Sequence, residues 1–341
     1  EDYLNYFNHQ LFQPDNQEAL NYLLNRKLKK NIIEEFKLGY VPWKNNFYDT
    51  LLEKYSEEDI FSTGLYYKNE KTGKYVDRFN SRIIFPVKNV SGDTIAFGGR
   101  IIRESKFAKY INSPETEFYK KGNVIFNLDK AKDLRGETED VLIVEGYMDV
   151  VSVYASGIKN VIANSGTTLT ERQISLIWKF FSNPIICLDG DESGQKAALR
   201  IAERLFPLIN EKNKIYFSIM PEGTDPDDYI KNKGKEGLIS LLKDKEIIQS
   251  FIWNYHLSKI DQNNPDFFFN LAILKYSKGL IDEAINLYNK CLDINPSYTK
   301  SLKYLGNIYK DKKEFRRALA PDLMERYSYV ERGGIPKKEV A

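Results

Sequence analysis

Apolar positions fall along the chain in four successive patterns. From Asp2 to about Glu70 they recur at helical spacing: within ALNYLLNRKLKKNIIEEF, Leu20, Leu23, Leu24, Leu28, Ile32, Ile33 and Phe36 mark one face. GYVPW (Gly39–Trp43) then interrupts the helical pattern with Gly and Pro. From Lys74 to about Phe126 short β-rich runs take over. RIIFPV (Arg82–Val87) and TIAFGGRII (Thr94–Ile102), joined through Ser91-Gly92-Asp93, read as a hairpin. Alternation along the first of these strands puts Arg82 and Ile84 on one face and Ile83 and Phe85 on the other.

The third pattern, about Val141–Ile230, alternates continuous apolar runs with helical segments. VLIV, NVIA, PIICL and KIYFSI are the runs, and YMDVVSVYASG, LTERQISLIWKFF and QKAALRIAERLFPLI lie between them. Runs of that kind between helices predict a parallel sheet covered on both faces. A charged helical stretch follows (Asn232–Ile260), and then an internal repeat. Leu271 to Leu305 and Ala284 to Ala318 are both steps of 34, the period of tetratricopeptide helix pairs. These patterns divide the chain at 1–126, 127–231, 232–262, 263–320 and 321–341. The class is α/β, with an α+β segment before the parallel sheet and an α-helical one after it.

Composition narrows the classes. The chain has 341 residues, 42% hydrophobic and 29% charged, as expected of a water-soluble globular protein with several cores. No run approaches the ~18 apolar residues of a membrane span, so no membrane role is expected. Its two cysteines, Cys187 and Cys291, cannot form a disulfide framework or a four-cysteine zinc site, and they fit a reducing compartment. The opening EDYLNYFNHQ has no leader pattern and no initiator Met, so the sequence reads as the interior of a longer protein. Fifty Lys and Arg against 48 Asp and Glu leave a net charge of only +2, so distribution carries more than the total. His9 and His256 stand alone and read as structural, as does Cys187 within its apolar run. Most of the 23 Tyr and 20 Phe read as core.

Chemistry concentrates in the third region. Glu145 ends the first apolar run, Asp189 and Asp191 end the third in LDGDESG, and Asp225 and Asp227 follow the fourth in PEGTDPDDYI. One such acid is ordinarily a helix cap. In a parallel sheet, however, the carboxyl ends of the strands share one edge, where ligands bind. Acids gathered there repel one another unless a hard divalent cation takes their oxygens, as Mg²⁺ does. Arg78, Arg82, Arg100, Arg103, Lys106 and Lys109 fall within 32 residues of β-patterned sequence. They read either as a phosphate-binding groove or as a charge-protected edge.

EGYMDV (Glu145–Val150), LDGDESGQKAA (Leu188–Ala198) and PEGTDPDDYI (Pro221–Ile230) resemble the three acidic motifs of a TOPRIM domain, and more narrowly those of DnaG-type bacterial primases. The flanks agree. YLLNRKLKKNIIEEFKLGYVPW resembles the helical opening of that core, DRFNSRIIFPVKN with IAFGGR its basic β-rich subdomain, and KYINSPETEFYKKGNVIFNL the segment leading into TOPRIM. The resemblance runs from about residue 2 to about residue 260. It implies a TOPRIM-type parallel sheet and a core that makes RNA primers on single-stranded DNA from ribonucleoside triphosphates with Mg²⁺ or Mn²⁺, in the cytoplasm at the replication fork. Glu145, Asp189, Asp191, Asp225 and Asp227 become metal-site acids, with Asp149 an acidic partner. Arg78, Arg82, Arg100, Lys109, Tyr110, Asn112, Ser113 and Lys121 become nucleotide- and template-binding residues.

The chain also departs from that family. Lys27-Leu28-Lys29 replaces the usual GLS, Ser165 and Thr168 alter a small-residue motif, and nothing can ligate the zinc of the family's N-terminal ribbon. Repeat-like sequence stands where a helicase-binding tail is usual, so any replicative helicase would be met through other parts. Two rival readings remain: a TOPRIM nuclease or topoisomerase, and a non-enzymatic repeat scaffold.

Overall fold

The structure, a computed structural model, describes residues 1–103, 105–164, 168–259 and 264–311. The chain divides into two compact units, one covering Glu1–Trp253 and the other starting at Asn254.

The first unit opens with helices α1 (Asp2–Leu11), α2 (Gln17–Asn25) and α3 (Lys30–Glu35). The single helical pattern of the sequence is thus split after Asn25, where Lys27 takes a positive φ of 62°. GYVPW is more than a helix break: its first three residues form strand β1 (Gly39–Val41). Helices α4 (Phe47–Leu52) and α5 (Glu57–Ser62) and the hairpin β2 (Tyr66–Lys68) and β3 (Tyr75–Asp77) follow. Strands β4 (Arg82–Lys88), β5 (Thr94–Ile101) and β6 (Tyr110–Asn112) then join β1 in an antiparallel sheet ordered β1-β4-β5-β6. The predicted hairpin is β4–β5. Its alternation holds, with Ile84 facing the core around Tyr3 and Phe7 and Ile83 and Phe85 facing the larger core shared with the parallel sheet.

After the short α6 (Leu128–Ala131), the chain alternates β7 (Asp140–Val144), α7 (Tyr147–Ala155), β8 (Val161–Ala163), α8 (Glu171–Ile177), β9 (Asn183–Leu188), α9 (Glu192–Leu205), β10 (Tyr216–Ile219) and α10 (Pro226–Lys243). Strands β7 to β10 are parallel, and a two-residue edge strand, β11 (Glu246–Ile247), pairs antiparallel with β10, giving the order β11-β10-β9-β7-β8. Two-sided burial explains the continuous apolar runs. On β7, Leu142 and Val144 enter one core, while Val141 and Ile143 enter another with Ile186, Leu188 and Phe217. Leu20 and Ile33 of the opening helices, Phe85 of β4, Val144 of β7 and Leu238 of α10 lie in one continuous core. The helical opening, the antiparallel sheet and the parallel sheet therefore hold one another in place.

Helix α11 (Ile248–Lys259) starts in the first unit, with Ile248 and Phe251 buried against the parallel sheet. In the second unit α12 (Pro265–Ser277), α13 (Ile281–Ile294) and α14 (Thr299–Asp311) pack around Phe269, Ala272, Ala284, Tyr288 and Leu305. Ser165, the repeat position Ala318 and the predicted tail 321–341 lie outside the described residues. Among the described residues no helix is long and apolar enough to cross a membrane.

Candidate active site

The carboxyl ends of β7, β9 and β10 present the predicted acids. Glu145 follows the last residue of β7 and Asp189 the last residue of β9. Asp191 caps α9, its Oδ1 accepting the Gly194 N–H at 2.6 Å. Asp225 caps α10, its Oδ1 accepting the Asp228 N–H at 2.7 Å. Both residues therefore cap helices at the same sheet edge that carries Glu145 and Asp189. Asp149, in the first turn of α7, accepts the Gly146 N–H at 3.0 Å. The loops lie tightly together: a Cβ on Gly190 would come within 2.2 Å of the Met220 carbonyl oxygen, so only glycine lets the β9 loop close on the β10 loop.

The acids feel one another. Burial, then the fields of Glu145, Asp225 and Asp191, push Asp189 up to about 7. Burial, then Asp225, Asp227 and Asp189, push Asp149 up to about 8. Glu145 is likewise raised, first by burial and then by Asp191 and Asp225, against a hydrogen bond from the Asp189 backbone. Acids raised by burial and by one another's charge are what a bound cation would relieve. Asp225, Asp227 and Asp228 offer carboxylate oxygens within 4.8 Å of one another, the group of three that stands this close among the described residues. All of these donors are hard oxygens, which suit Mg²⁺ or Mn²⁺.

Asp227 differs from the other acids. It is 1% exposed, and its oxygens accept from Arg26, from Lys231 Nζ at 2.7 Å and from the Ser152 hydroxyl at 2.6 Å. Arg26 comes from the end of α2, so this carboxylate fastens the opening helices to α7 and α10. Sequence reasoning placed Asp227 at the site and missed Arg26, Ser152 and Asp228. The visible signal was the basic run NRKLKK, which includes Arg26.

The basic residues separate into two groups. Arg100, 6% exposed, donates to the Tyr110 hydroxyl and stacks on Tyr22 and Tyr110 at 5.4 and 5.0 Å. Arg26 shares the Tyr22 ring at 5.2 Å. Burial raises the Tyr110 hydroxyl, the Arg100 charge opposes that shift and the Asp149 charge adds to it, so this cation–ring stack borders the acidic rim. Asn112 accepts from the Tyr147 hydroxyl at 2.5 Å, and Ser113 accepts the Phe97 N–H at 3.0 Å. Both tie β6 into the frame. Tyr147 follows Glu145 by two positions and lies under β5, where a Cβ on Gly98 would meet its ring at 2.2 Å. The main chain of Lys121 accepts from Gln173 at 3.2 Å.

Arg78 and Arg82 instead line a cleft of about 1280 Å³ with Arg103, Lys44 and the largely exposed Trp43 and Phe107. Arg82 donates to the Lys109 carbonyl at 3.2 Å, and the Arg78 guanidinium lies 5.7 Å from the Tyr67 ring. Lys109 is exposed beside it.

Comparison with known proteins places the fold among related chains. A family profile described as DNA primase catalytic core, N-terminal domain, matches residues 6–132, and a Toprim-like profile matches residues 142–230. The DNA primase of Haemophilus influenzae is 35% identical over 253 residues, covering 73% of this chain and 42% of that protein. The DNA primase of Enterococcus faecalis is 36% identical over 281 residues, covering 80% and 43%. The Escherichia coli primase catalytic core superposes with a TM-score of 0.70 at 30% identity, covering 85% of this chain and 94% of that one. A DnaG primase catalytic domain bound to single-stranded DNA superposes with a TM-score of 0.72 at 29% identity, covering 85% and 92%. This chain spans less than half the length of these curated relatives. With both profiles falling on the first unit, which carries the acidic rim and the basic cleft, the chain belongs to the DnaG-type DNA primase family, whose catalytic-core N-terminal and TOPRIM domains it carries.

Proposed function

We propose that this chain is the polymerising core of a DNA-dependent RNA primase, joining ribonucleoside triphosphates on a single-stranded DNA template. The observation that carries the reading is the gathering of Glu145, Asp189, Asp191 and Asp225 at one sheet edge, bordered by the Arg100–Tyr110 stack. Those four acids, with Asp149 behind them, are the residues to hold Mg²⁺ or Mn²⁺. When bound, the ion neutralises the acids and polarises the phosphate at which the new bond forms. The chain supplies the rest. Arg100 fixes triphosphate charge near the rim, with Lys109 and Lys121 as further phosphate contacts. Arg78 and Arg82 hold template phosphates in the cleft, beside Arg103 held by Glu18, while Trp43 and Phe107 offer flat faces to unstacked bases. Asp227 keeps the opening helices docked so that Arg100 and the acids stay in register.

The DnaG domain solved with single-stranded DNA supports the template assignment. The reading places the activity in the cytoplasm at the replication fork, with the helicase engaged through other segments. The test is primer synthesis on a mixed-sequence single-stranded template. Asp189→Ala should lower it by at least about a hundredfold, the scale of losing one charge-stabilising group, while DNA binding persists. Undiminished synthesis would reject the assignment. Cutting of labelled template in place of extension would favour a nuclease.

A further inference from the structure

A second cavity lies toward the opposite ends of the parallel strands, away from the acids. It holds about 570 Å³ and is lined by Asp140, Leu142, Gly157, Ile158, Asn160, Ile185, Lys235, Ile239, Leu242, Lys243 and Lys245. That volume is within the range of small-ligand sites. Its floor is aliphatic: Leu142, Ile158 and Ile185 are buried, and Ile239 is left 41% exposed at the mouth. The wall is made by the second half of α10. Gly234, at φ 71° and ψ −173°, breaks that helix, and the turns after it bring Lys235, Ile239, Leu242 and Lys243 onto one face. Opposite them Gly157 contributes bare backbone, close enough that a Cβ there would stand 3.5 Å from the Lys235 ammonium.

The charges at the mouth are unbalanced. Lys245 pairs with Asp140, but neither Lys235 nor Lys243 has a carboxylate or side-chain hydrogen-bond partner among the described residues. Lysines commonly lay their stems over apolar surface with the ammonium in water. Here they flank a space closed below by buried Leu142, Ile158 and Ile185 and bordered by the exposed Ile239, so the two charges and the Ile239 face are available. No aromatic side chain lines the cavity, so a stacked nucleobase has nothing to rest on.

We infer that this cavity binds a small amphipathic organic anion, with its aliphatic body on Leu142, Ile158, Ile185 and Ile239 and its carboxylate or phosphate between Lys235 and Lys243. The site is independent of the polymerisation chemistry. Its test uses the full chain titrated with anilinonaphthalene sulfonate, an anionic apolar dye, followed by displacement with decanoate. Saturable fluorescence displaced by decanoate is expected. The paired change Lys235→Glu and Lys243→Glu should weaken binding by about tenfold or more, and Ile239→Asp should do so separately by setting a carboxylate at the apolar mouth. Lys212→Glu, which does not line the cavity, should leave it unchanged. Equal dye affinity in all three variants, or no saturable binding in the unaltered chain, overturns the inference. Circular dichroism of each variant separates lost binding from lost folding.

Discussion

Burial and neighbouring charge hold Asp189 at about 7 and Asp149 at about 8, far above the ordinary value of 3.8. The folded chain therefore keeps protons that the unfolded chain has already released. Stability conferred by those protons is lost as pH climbs from near 4 through the raised values. In chelator, the melting temperature should fall between about pH 5 and about pH 8, and Asp189→Asn should flatten the lower part of that fall. Mg²⁺ binds the ionised form, so it should restore the melting temperature most at the alkaline end. A profile unaffected by either change would mean that the acids do not share a field. Strand-end position made these acids legible in the sequence, because a parallel sheet carries the ends of its strands to one edge. Their separation of 44 positions between Glu145 and Asp189 is no obstacle to that convergence.

Elements are positioned by contacts that local pattern does not reveal. Arg26 and Asp227 stand 201 positions apart, and nothing in either flank pairs them. Periodicity found α2 and α3 as one face but could not see the turn at Lys27 that aims Arg26 at α10. The strands β1 and β11, three and two residues long, were too short to give a pattern and became visible only through their partners β4 and β10. By contrast the β4–β5 hairpin and the strands β7, β9 and β10 were plain from alternation and continuous apolarity. Asp227→Ala removes the buried partner of an ion pair and leaves Arg26 without its carboxylate, while Lys231 keeps Asp228 at 3.1 Å. Loss of about 3–5 kcal/mol is expected in urea unfolding of the full chain. Asp225→Ala should cost far less, since it removes one half-buried helix cap. Similar losses from the two changes would deny Asp227 its anchoring role.

At the scale of the whole molecule, a net charge of +2 conceals a division between an acidic rim and a basic cleft within the first unit. Total charge could not announce a nucleic-acid partner, because the acids of the rim cancel the bases of the cleft in the sum. The cleft should nevertheless release counterions when it takes single-stranded DNA. The logarithm of affinity should fall linearly with that of salt concentration, and Arg78→Ala should reduce the slope by about 0.7, the share of one phosphate contact on a single strand. An unchanged slope would place the strand elsewhere. The helices of the second unit carry their own core, so their presence should not alter that slope.

The Arg26–Asp227 pair also constrains how such a chain can drift over generations. A guanidinium at one position without a carboxylate at the other leaves charge unpaired in a largely buried junction, so neither can change alone without penalty. Among descendants of a common ancestor these two positions should covary, swapping together for an uncharged couple or remaining fixed. Frequent solitary replacement at position 26 would mean that the junction is held by something other than this bond.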